Sequence, residues 1–233
     1  MLLKVENLSK NFELKVGQRK TIESINGISF ELEEGEFLAL YGPSGAGKST
    51  ILKCIYRTYI PTEGHILYNS YKYGLVALER APDWQIIELR RREIGYVSQF
   101  FSVIPRVSAV DIVAEPLVRY FGLDEKEARE MAGWLLRRLG IPSNLLDAYP
   151  STFSGGEQQK VNIARAIIWK PRLLLLDEPT ASLDDKSARI VLEILKELKE
   201  EGVGMIGIFH NKDHLKAIAD RILEVRKHAR VFD

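Results

Sequence analysis

The stretch that decides the fold of this chain reads Gly42-Pro43-Ser44-Gly45-Ala46-Gly47-Lys48-Ser49-Thr50. It fits the pattern G-x-x-x-x-G-K-[ST] and follows the apolar run 37–41, so it predicts a strand, a glycine-rich turn and a helix. Glycines let successive backbone N–H groups turn toward one anion, and the helix adds its positive N-terminal end. In such a loop Lys48 is placed to reach the β and γ phosphates and Ser49 to ligate Mg²⁺. The stretch predicts a phosphate-binding loop, with an ordinary glycine-rich turn as the alternative.

The composition is that of a globular protein. The chain has 233 residues, 45% of them hydrophobic and 28% charged, which is enough to bury a substantial core. Lys+Arg of 33 against Asp+Glu of 32 leaves a net charge of +1, so no overall field attracts nucleic acid or an anionic membrane. The single cysteine, Cys54, excludes an intrachain disulfide and a cysteine-rich metal site. We expect it to be a buried, inert thiol.

Neither a signal-peptide core nor a spanning segment is visible in the sequence. The N-terminus is already strand-like, and no apolar run approaches the roughly 18 residues that a membrane-spanning helix needs. We therefore expect a cytoplasmic protein that touches a membrane only through a partner.

Residues 1–40 contain short apolar runs separated by glycines, which predict an antiparallel β layer. A helix is expected from Lys48 to about Tyr59, followed by a turn and a strand at 65–68. The polar stretch 69–82 predicts a hairpin or a loop insertion.

The basic run Arg90–Arg92 raises the possibility of nucleic-acid binding. Glu88 and Glu93 flank it, and no aromatic residues interleave with it as they do on a base-stacking surface. We therefore expect a solvated face and no nucleic-acid partner.

The middle of the chain, from about 100 to 165, is predicted to be mainly helical. Between 124 and 139 the apolar residues recur at helical spacing, and we expect Met131 and Trp134 to lie in the core. After that, strands alternate with a helix at 185–201. That order implies a parallel sheet flanked by helices.

A second chemical signal follows the apolar run 173–176, where Asp177 and Glu178 end a predicted strand. Ligands bind at the carboxyl ends of strands in open α/β sheets. There Asp177 is placed to hold Mg²⁺ through water, and Glu178 to orient or deprotonate the water that attacks a γ-phosphate. A solvated turn is the alternative interpretation.

A third signal is the glycine-rich turn Ser154-Gly155-Gly156-Glu157, which leads into a helix. Ser154 and the glycine N–H groups are placed to meet an anion at the positive end of that helix. Alone, the turn is ordinary N-capping chemistry. It gains weight from its position between the phosphate loop and the Asp177–Glu178 pair.

With these motifs in this order the chain resembles the ATP-binding cassette (ABC) ATPases over nearly its whole length. By that resemblance residues 42–50 are Walker A, residues 153–158 the family signature, Asp177 belongs to Walker B and Glu178 is the catalytic carboxylate. The resemblance implies an α/β P-loop NTPase: a RecA-like parallel-sheet core, an N-terminal antiparallel β layer and an inserted helical subdomain.

The resemblance also assigns further residues to ATP and Mg²⁺. Gln99 is the Q-loop residue, placed to ligate Mg²⁺ or water, Asp184 is the D-loop acid, and His210 is the switch histidine, which bonds the γ-phosphate. Phe12 is in register with the aromatic residue on which adenine stacks, although a core residue at a strand end is an equal interpretation.

For the whole chain the resemblance implies one cassette domain and a second cassette subunit. Residues 1–98 and 166–233 form the nucleotide-binding core with its β layer, and 99–165 the helical subdomain. ATP lies between Walker A of one subunit and the signature of another, head to tail, so nucleotide acts as a clamp that closes the dimer.

Several runs that extend beyond the ATP motifs resemble the PhnL-type subunit of the carbon-phosphorus lyase system, which degrades phosphonates. They are 97–100, 103–106 with 108–109, 151–152, 207–210 and the insertion near 77–82. This resemblance implies a soluble lyase core complex as partner.

Two other functions remain open. One is the ATPase of a lipoprotein-release or macrolide-efflux exporter with a membrane permease as partner, and the other a nucleotide-sensing module without turnover. In transport ATPases the residues after the Q-loop form a groove for the permease, and the corresponding residues here are Phe100, Phe101, Val103 and Ile104.

Overall fold

A computed structural model describes residues 1–16, 18–99, 105–226 and 231–232, with side chains described outside 14–21 and 231–232. The strands are β1 Leu3–Val16, β2 Gln18–Leu32, β3 Phe37–Tyr41, β4 Glu63–Ser70, β5 Gly74–Ala77, β6 Ile94–Val97, β7 Leu173–Asp177, β8 Gly204–Ile208, β9 Arg221–Glu224 and β10 Val231–Phe232. The helices are α1 Lys48–Ile55, α2 Asp83–Arg92, α3 Ala109–Phe121, α4 Glu125–Arg138, α5 Gly155–Ile167, α6 Asp185–Glu200 and α7 Lys212–Ile218.

A parallel sheet forms the centre of the molecule, with its strands in the order β6-β7-β8-β3-β9. Every residue of β7 and β8 is buried, as expected for a parallel sheet covered on both faces. In register, Leu176 of β7 lies beside Gly207 of β8, and Ile208 of β8 beside Leu40 of β3. The carboxyl ends of these strands therefore meet at one edge of the sheet.

The second sheet is antiparallel, with its strands in the order β10-β2-β1-β4-β5. The antiparallel β layer predicted over 1–40 is present up to Leu32, whereas the run Phe37–Tyr41 belongs to the parallel sheet. The polar stretch 69–82 forms the hairpin partner of β4, with Leu67 opposite Ala77. Leu3 pairs with Leu32 on one side and Tyr68 on the other. This places a continuous apolar face toward the parallel sheet.

Alternation along the parallel strands divides the core into two layers, since successive side chains point to opposite faces. Leu173 and Leu175 pack with α1 and the antiparallel sheet. Leu174 and Leu176 pack on the other face, with α3, α4, α5 and α6. Cys54 is in the first layer, buried as predicted, and its burial raises the pKa of the thiol to about 12.

Helix α4 corrects one prediction about the core. Ala128, Ala132 and Leu135 are buried, but Met131 is 40% and Trp134 58% exposed. At 3.6 residues per turn Trp134 lies on the side of the helix away from the buried stripe, and Met131 at its margin. The sequence-based expectation that both are core residues is wrong.

Two other expectations are revised at element ends. Helix α1 ends at Ile55 and not near Tyr59, because Arg57 takes a φ of 65°, which ends a right-handed helix. In the basic run Arg90 is only half-exposed and donates to the carbonyl oxygen of Tyr56, while Glu93 is buried with 6% exposure. The run is therefore only partly a solvated face.

Within the described ranges no helix has the length and apolar character needed to cross a membrane.

Candidate functional site

The phosphate loop lies between β3 and α1, at the carboxyl edge of the parallel sheet. Gly42 has a φ of 154° and Gly47 a φ of 90°, and a Cβ at Gly47 would lie 2.3 Å from Ile25. Both positions therefore require glycine. A Cβ at Gly45 would meet nothing within 4 Å, so the loop is open there. Lys48 is buried and its Nζ donates to the carbonyl oxygens of Gly42 and Pro43 at 2.7 and 2.9 Å.

Two of the three residues predicted to hold a metal, Ser49 and Asp177, are in direct contact, whereas the third, Gln99, is hydrogen-bonded to Glu178. Ser49 Oγ, on the first turn of α1, donates to Asp177 Oδ1 at the end of β7 over 2.8 Å. Beside it, Thr50 and Ser24 share a hydroxyl hydrogen bond of 3.0 Å. The described residues contain no cluster of His, Cys, Asp or Glu that would enclose a metal on its own. One hydroxyl and one carboxylate suit Mg²⁺, which binds few protein oxygens and completes its shell with phosphate and water.

Glu178 is the meeting point of two other predicted residues. Its Oε1 lies 2.6 Å from His210 Nε2, and its Oε2 accepts a hydrogen bond of 2.9 Å from Gln99 Nε2. Gln99 follows β6 and His210 follows β8, the strands on either side of β7. Glu178 has a φ of 55°, a conformation uncommon outside glycine that clusters at functional sites. The carboxylate is thus held from both sides at the phosphate end of the sheet.

The signature turn forms the start of α5 and is hydrogen-bonded to itself. Ser154 Oγ accepts from the backbone N–H of Glu157 at 3.3 Å, while the backbone N–H and Oγ of Ser154 both donate to Glu157 Oε2 at 2.8 Å. This reciprocal arrangement is a capping box. These bonds, first that from the backbone of Ser154, hold the pKa of Glu157 below its usual value. Ser154 and Gly155 are exposed.

Asp184, the predicted D-loop acid, starts α6. Its carboxylate accepts from the backbone N–H of Ser187 at 2.8 Å and from Ser187 Oγ at 3.0 Å, and these two bonds lower the pKa of Asp184. The preceding turn reaches the signature, because a Cβ at Gly156 would lie 3.1 Å from the carbonyl oxygen of Ser182. The D-loop and the signature are therefore neighbours in one chain.

Three residues that sequence analysis did not select connect these parts. Gln159 and Asn162, buried on α5, donate to the carbonyl oxygen of Ser98 at 3.3 and 2.9 Å, next to Gln99. Their signal was available as two amides among apolar residues on one helix face. Tyr96 donates its hydroxyl to Asp177 Oδ2 at 3.1 Å. An aromatic residue in a buried strand gives no such signal.

Phe12, the residue predicted to stack on adenine, lies on β1 of the antiparallel sheet. Its ring meets that of Tyr59 edge to face, with centroids 5.1 Å apart, and Lys10 Nζ lies 5.2 Å from its centroid. These contacts fit either of the two interpretations, so adenine stacking on Phe12 stays a prediction. Phe100, Phe101, Val103 and Ile104, the predicted groove residues, lie outside the described residues.

Known proteins resemble this chain along almost its full length. Residues 25–181 match the family model described as ABC transporter. The chain is 37% identical to a probable amino-acid ABC transporter ATP-binding protein of Haemophilus influenzae, over 95% of this chain and 83% of that protein. It is 38% identical to the macrolide export ATP-binding/permease protein MacB of Syntrophobacter fumaroxidans, over 97% of this chain and 30% of that protein. The dimeric, post-hydrolysis structure of the ATP-binding cassette MJ0796 bound to ADP and Pi superposes with a TM-score of 0.87 at 30% identity, covering 100% of this chain and 98% of that one.

Proposed function

This chain belongs to the ABC transporter family of ATP-binding proteins, and on that premise we propose that it is a PhnL-type accessory ATPase of a phosphonate carbon-phosphorus lyase system. Membership of the family establishes the general activity of the chain. The chain binds ATP with Mg²⁺, hydrolyses ATP and forms dimers as cassettes of this family do. The finer proposal concerns which residues act and on which partner.

The residues at the carboxyl edge of the parallel sheet have distinct roles in the proposal. The loop N–H groups and Lys48 bind the phosphates, while Ser49 and Asp177 hold Mg²⁺, which supplies positive charge to the phosphate oxygens. Glu178 takes the proton of the attacking water. Its hydrogen bonds to His210 and Gln99 orient the carboxylate for that transfer.

The signature residues Ser154, Gly155, Gly156 and Glu157 serve a second subunit, together with Asp184. Ser154 and Gly155 are exposed, and no hydrogen bond or ion pair between described residues joins the signature turn to the phosphate loop of the same chain. An exposed helix start is an anion-binding group. ATP held at the phosphate loop of one subunit therefore meets the signature of the other, and closure of the dimer depends on its γ-phosphate.

The observation that carries the PhnL-type assignment is a sequence resemblance that extends beyond the ATP motifs. It includes Ser151 and Thr152 directly before the signature and the run 207–210 that ends in His210. In this proposal the chain works in the cytoplasm, where ATP is available, on a soluble lyase complex.

A transport role is the second candidate. The relatives favour it, since the protein of Haemophilus influenzae and the MacB protein of Syntrophobacter fumaroxidans are both named as transport or export proteins. In that case the chain is the ATP-binding subunit of a lipoprotein-release or macrolide-efflux type exporter and binds a membrane permease. The nucleotide-sensing alternative lacks support, because Lys48, Glu178 and His210 are all in place and the family hydrolyses ATP.

Either partner needs a docking surface, and we assign it to a cleft between α2 and α5. The cleft has a volume of about 330 Å³ and is lined in part by Arg90, Arg91, Arg165, Tyr120 and Trp169. Arg165 pairs with Glu115 at 2.9 Å. Arg90 and Arg91 lie over aromatic rings and have no carboxylate partner among the described residues. Uncompensated guanidinium groups favour an acidic segment of the partner.

Pull-down from the native cell distinguishes the two partners. The tagged chain is expected to retrieve soluble phosphonate-degrading enzymes, identified by mass spectrometry, and the Arg91→Glu variant to lose them by charge repulsion. Arg137→Glu is the matched control, since Arg137 is exposed and does not line the cleft. Retrieval of a permease from the detergent-extracted fraction would replace the lyase proposal by the transport role.

A further inference from the structure

Asp177 has a hydroxyl donor at each of its two carboxylate oxygens. Oδ1 accepts from Ser49 and Oδ2 from Tyr96, over 2.8 and 3.1 Å. The carboxylate is only 4% exposed, so these two bonds replace much of the water it gives up. The Ser49 bond belongs to the Mg²⁺ site already described. The Tyr96 bond comes from a neighbouring strand and has no part in that site's sequence motifs.

Tyr96 is itself held firmly. It lies on β6 in register with Leu175 of β7, two residues before Asp177. Its ring packs on that of Tyr56 with centroids 4.8 Å apart, and the guanidinium of Arg90 covers the Tyr56 ring at 4.4 Å. A tyrosine hydroxyl is protonated at neutral pH, so it remains a donor to the carboxylate.

A carboxylate with a single donor rotates easily, because the terminal torsion of an aspartate is broad. Ser49 is also a predicted metal ligand, so it is a poor sole anchor for Asp177. A second donor on the other oxygen fixes the plane of the carboxylate. Residues that orient a metal-holding side chain in this way often change metal affinity when they are replaced.

We propose that Tyr96 is a positioning residue of the Mg²⁺ site: its hydroxyl fixes the orientation in which Asp177 holds the metal. Tyr96 touches neither nucleotide nor metal in this role and acts only through Asp177. The inference rests on the ATPase activity of the family and is independent of which partner the chain serves.

The test is Mn²⁺ binding in the presence of ATP, followed by electron paramagnetic resonance, with Glu178→Gln as the background that prevents turnover. Tyr96→Phe is expected to weaken Mn²⁺ binding by about 10- to 100-fold. Tyr56→Phe is the matched control, because it removes a hydroxyl from the same ring pair and the Tyr56 hydroxyl bonds no described residue. It is expected to leave Mn²⁺ affinity unchanged.

Two further measurements separate positioning from packing. In EDTA, metal-free ATP is expected to bind the Tyr96→Phe variant as tightly as the parent, and an equal loss there would show that Tyr96 only supports the fold. In an Asp177→Asn background, Tyr96→Phe is expected to add no further loss of Mn²⁺ affinity. Unchanged Mn²⁺ binding by the single Tyr96→Phe variant, or a full additional loss in the double variant, would overturn the proposal.

Discussion

The phosphate loop and the signature turn are both glycine-rich starts of helices, yet their surroundings differ. At the end of the phosphate loop, Ser49 donates a hydrogen bond to Asp177 at the end of β7, and Lys48 donates to carbonyl oxygens of the loop itself. The signature turn bonds mainly to itself, through Ser154 and Glu157. The loop is therefore part of a connected site, and the turn presents an anion-binding end to something outside its own chain.

The difference comes from where each turn lies in the topology. The loop, Gln99, Glu178 and His210 follow β3, β6, β7 and β8, which belong to one parallel sheet whose strands end at one edge. The order of the strands in the sheet is therefore enough to place these residues next to one another. The signature follows no strand of that sheet and begins α5 after the short turn Pro150–Thr152. A second subunit is the simplest way to bring it to a phosphate.

The largest effect is expected from Glu178→Gln, which removes the carboxylate at the centre of the connected region. Loss of a general base slows reactions by about 100-fold or more, so phosphate release should be abolished at the detection limit. ATP binding and ATP-dependent dimers should persist, since the amide keeps the shape of the side chain. They are measured by size-exclusion chromatography with ATP. A variant that still turns over ATP would show that Glu178 is not the general base.

A mixing experiment tests the comparison directly. Lys48→Ala removes the phosphate loop's cation, and Ser154→Arg blocks the signature turn, so each variant alone should lose ATPase activity. When the two variants are mixed, a head-to-tail dimer of one subunit of each has one site in which both the phosphate loop and the signature turn are intact. Part of the activity should therefore return. Ser143→Arg, at another exposed serine that begins a short helical turn, is the control and should remain active alone. If mixing restores nothing, the two turns do not form a shared site.

The family resemblance supplied Gln99 and His210, whereas the motifs and the alternation of strands and helices were sufficient to predict the two sheets, the phosphate loop and the strand that ends in Asp177 and Glu178. Local sequence carries that information, because a P-loop and a strand ending in two acids are each contiguous. Side-chain neighbours from distant elements are not encoded locally. The sequence did not reveal that Tyr96 reaches Asp177 or that Arg90 covers Tyr56, since both pairs form only when β6, β7, α1 and α2 come together.

The exposed Trp134 shows that the burial of a single side chain on a helix is also hard to predict from the sequence. Its size favours burial on average, and a count of apolar residues along α4 includes it, but the helix turns it away from the core. Exposure was readable only from the precise angular position of the buried stripe. Sequence therefore predicts the elements and the edge of the sheet more securely than the face of a helix.

The smallest effect concerns a hydrogen bond that connects the middle of the signature helix to the phosphate region. Asn162→Ala removes the hydrogen bond from α5 to the carbonyl oxygen of Ser98, and because the group is buried, the free energy of unfolding should fall by about 1–3 kcal/mol in urea denaturation. Asn144→Ala, at an exposed asparagine, should change it little. Since Ser98 precedes Gln99, the variant should also loosen the link between Gln99 and Glu178, and hydrogen exchange around 96–99 should speed up. Equal stability of the two variants would show that α5 is as independent of the phosphate site at its middle as it is at its start.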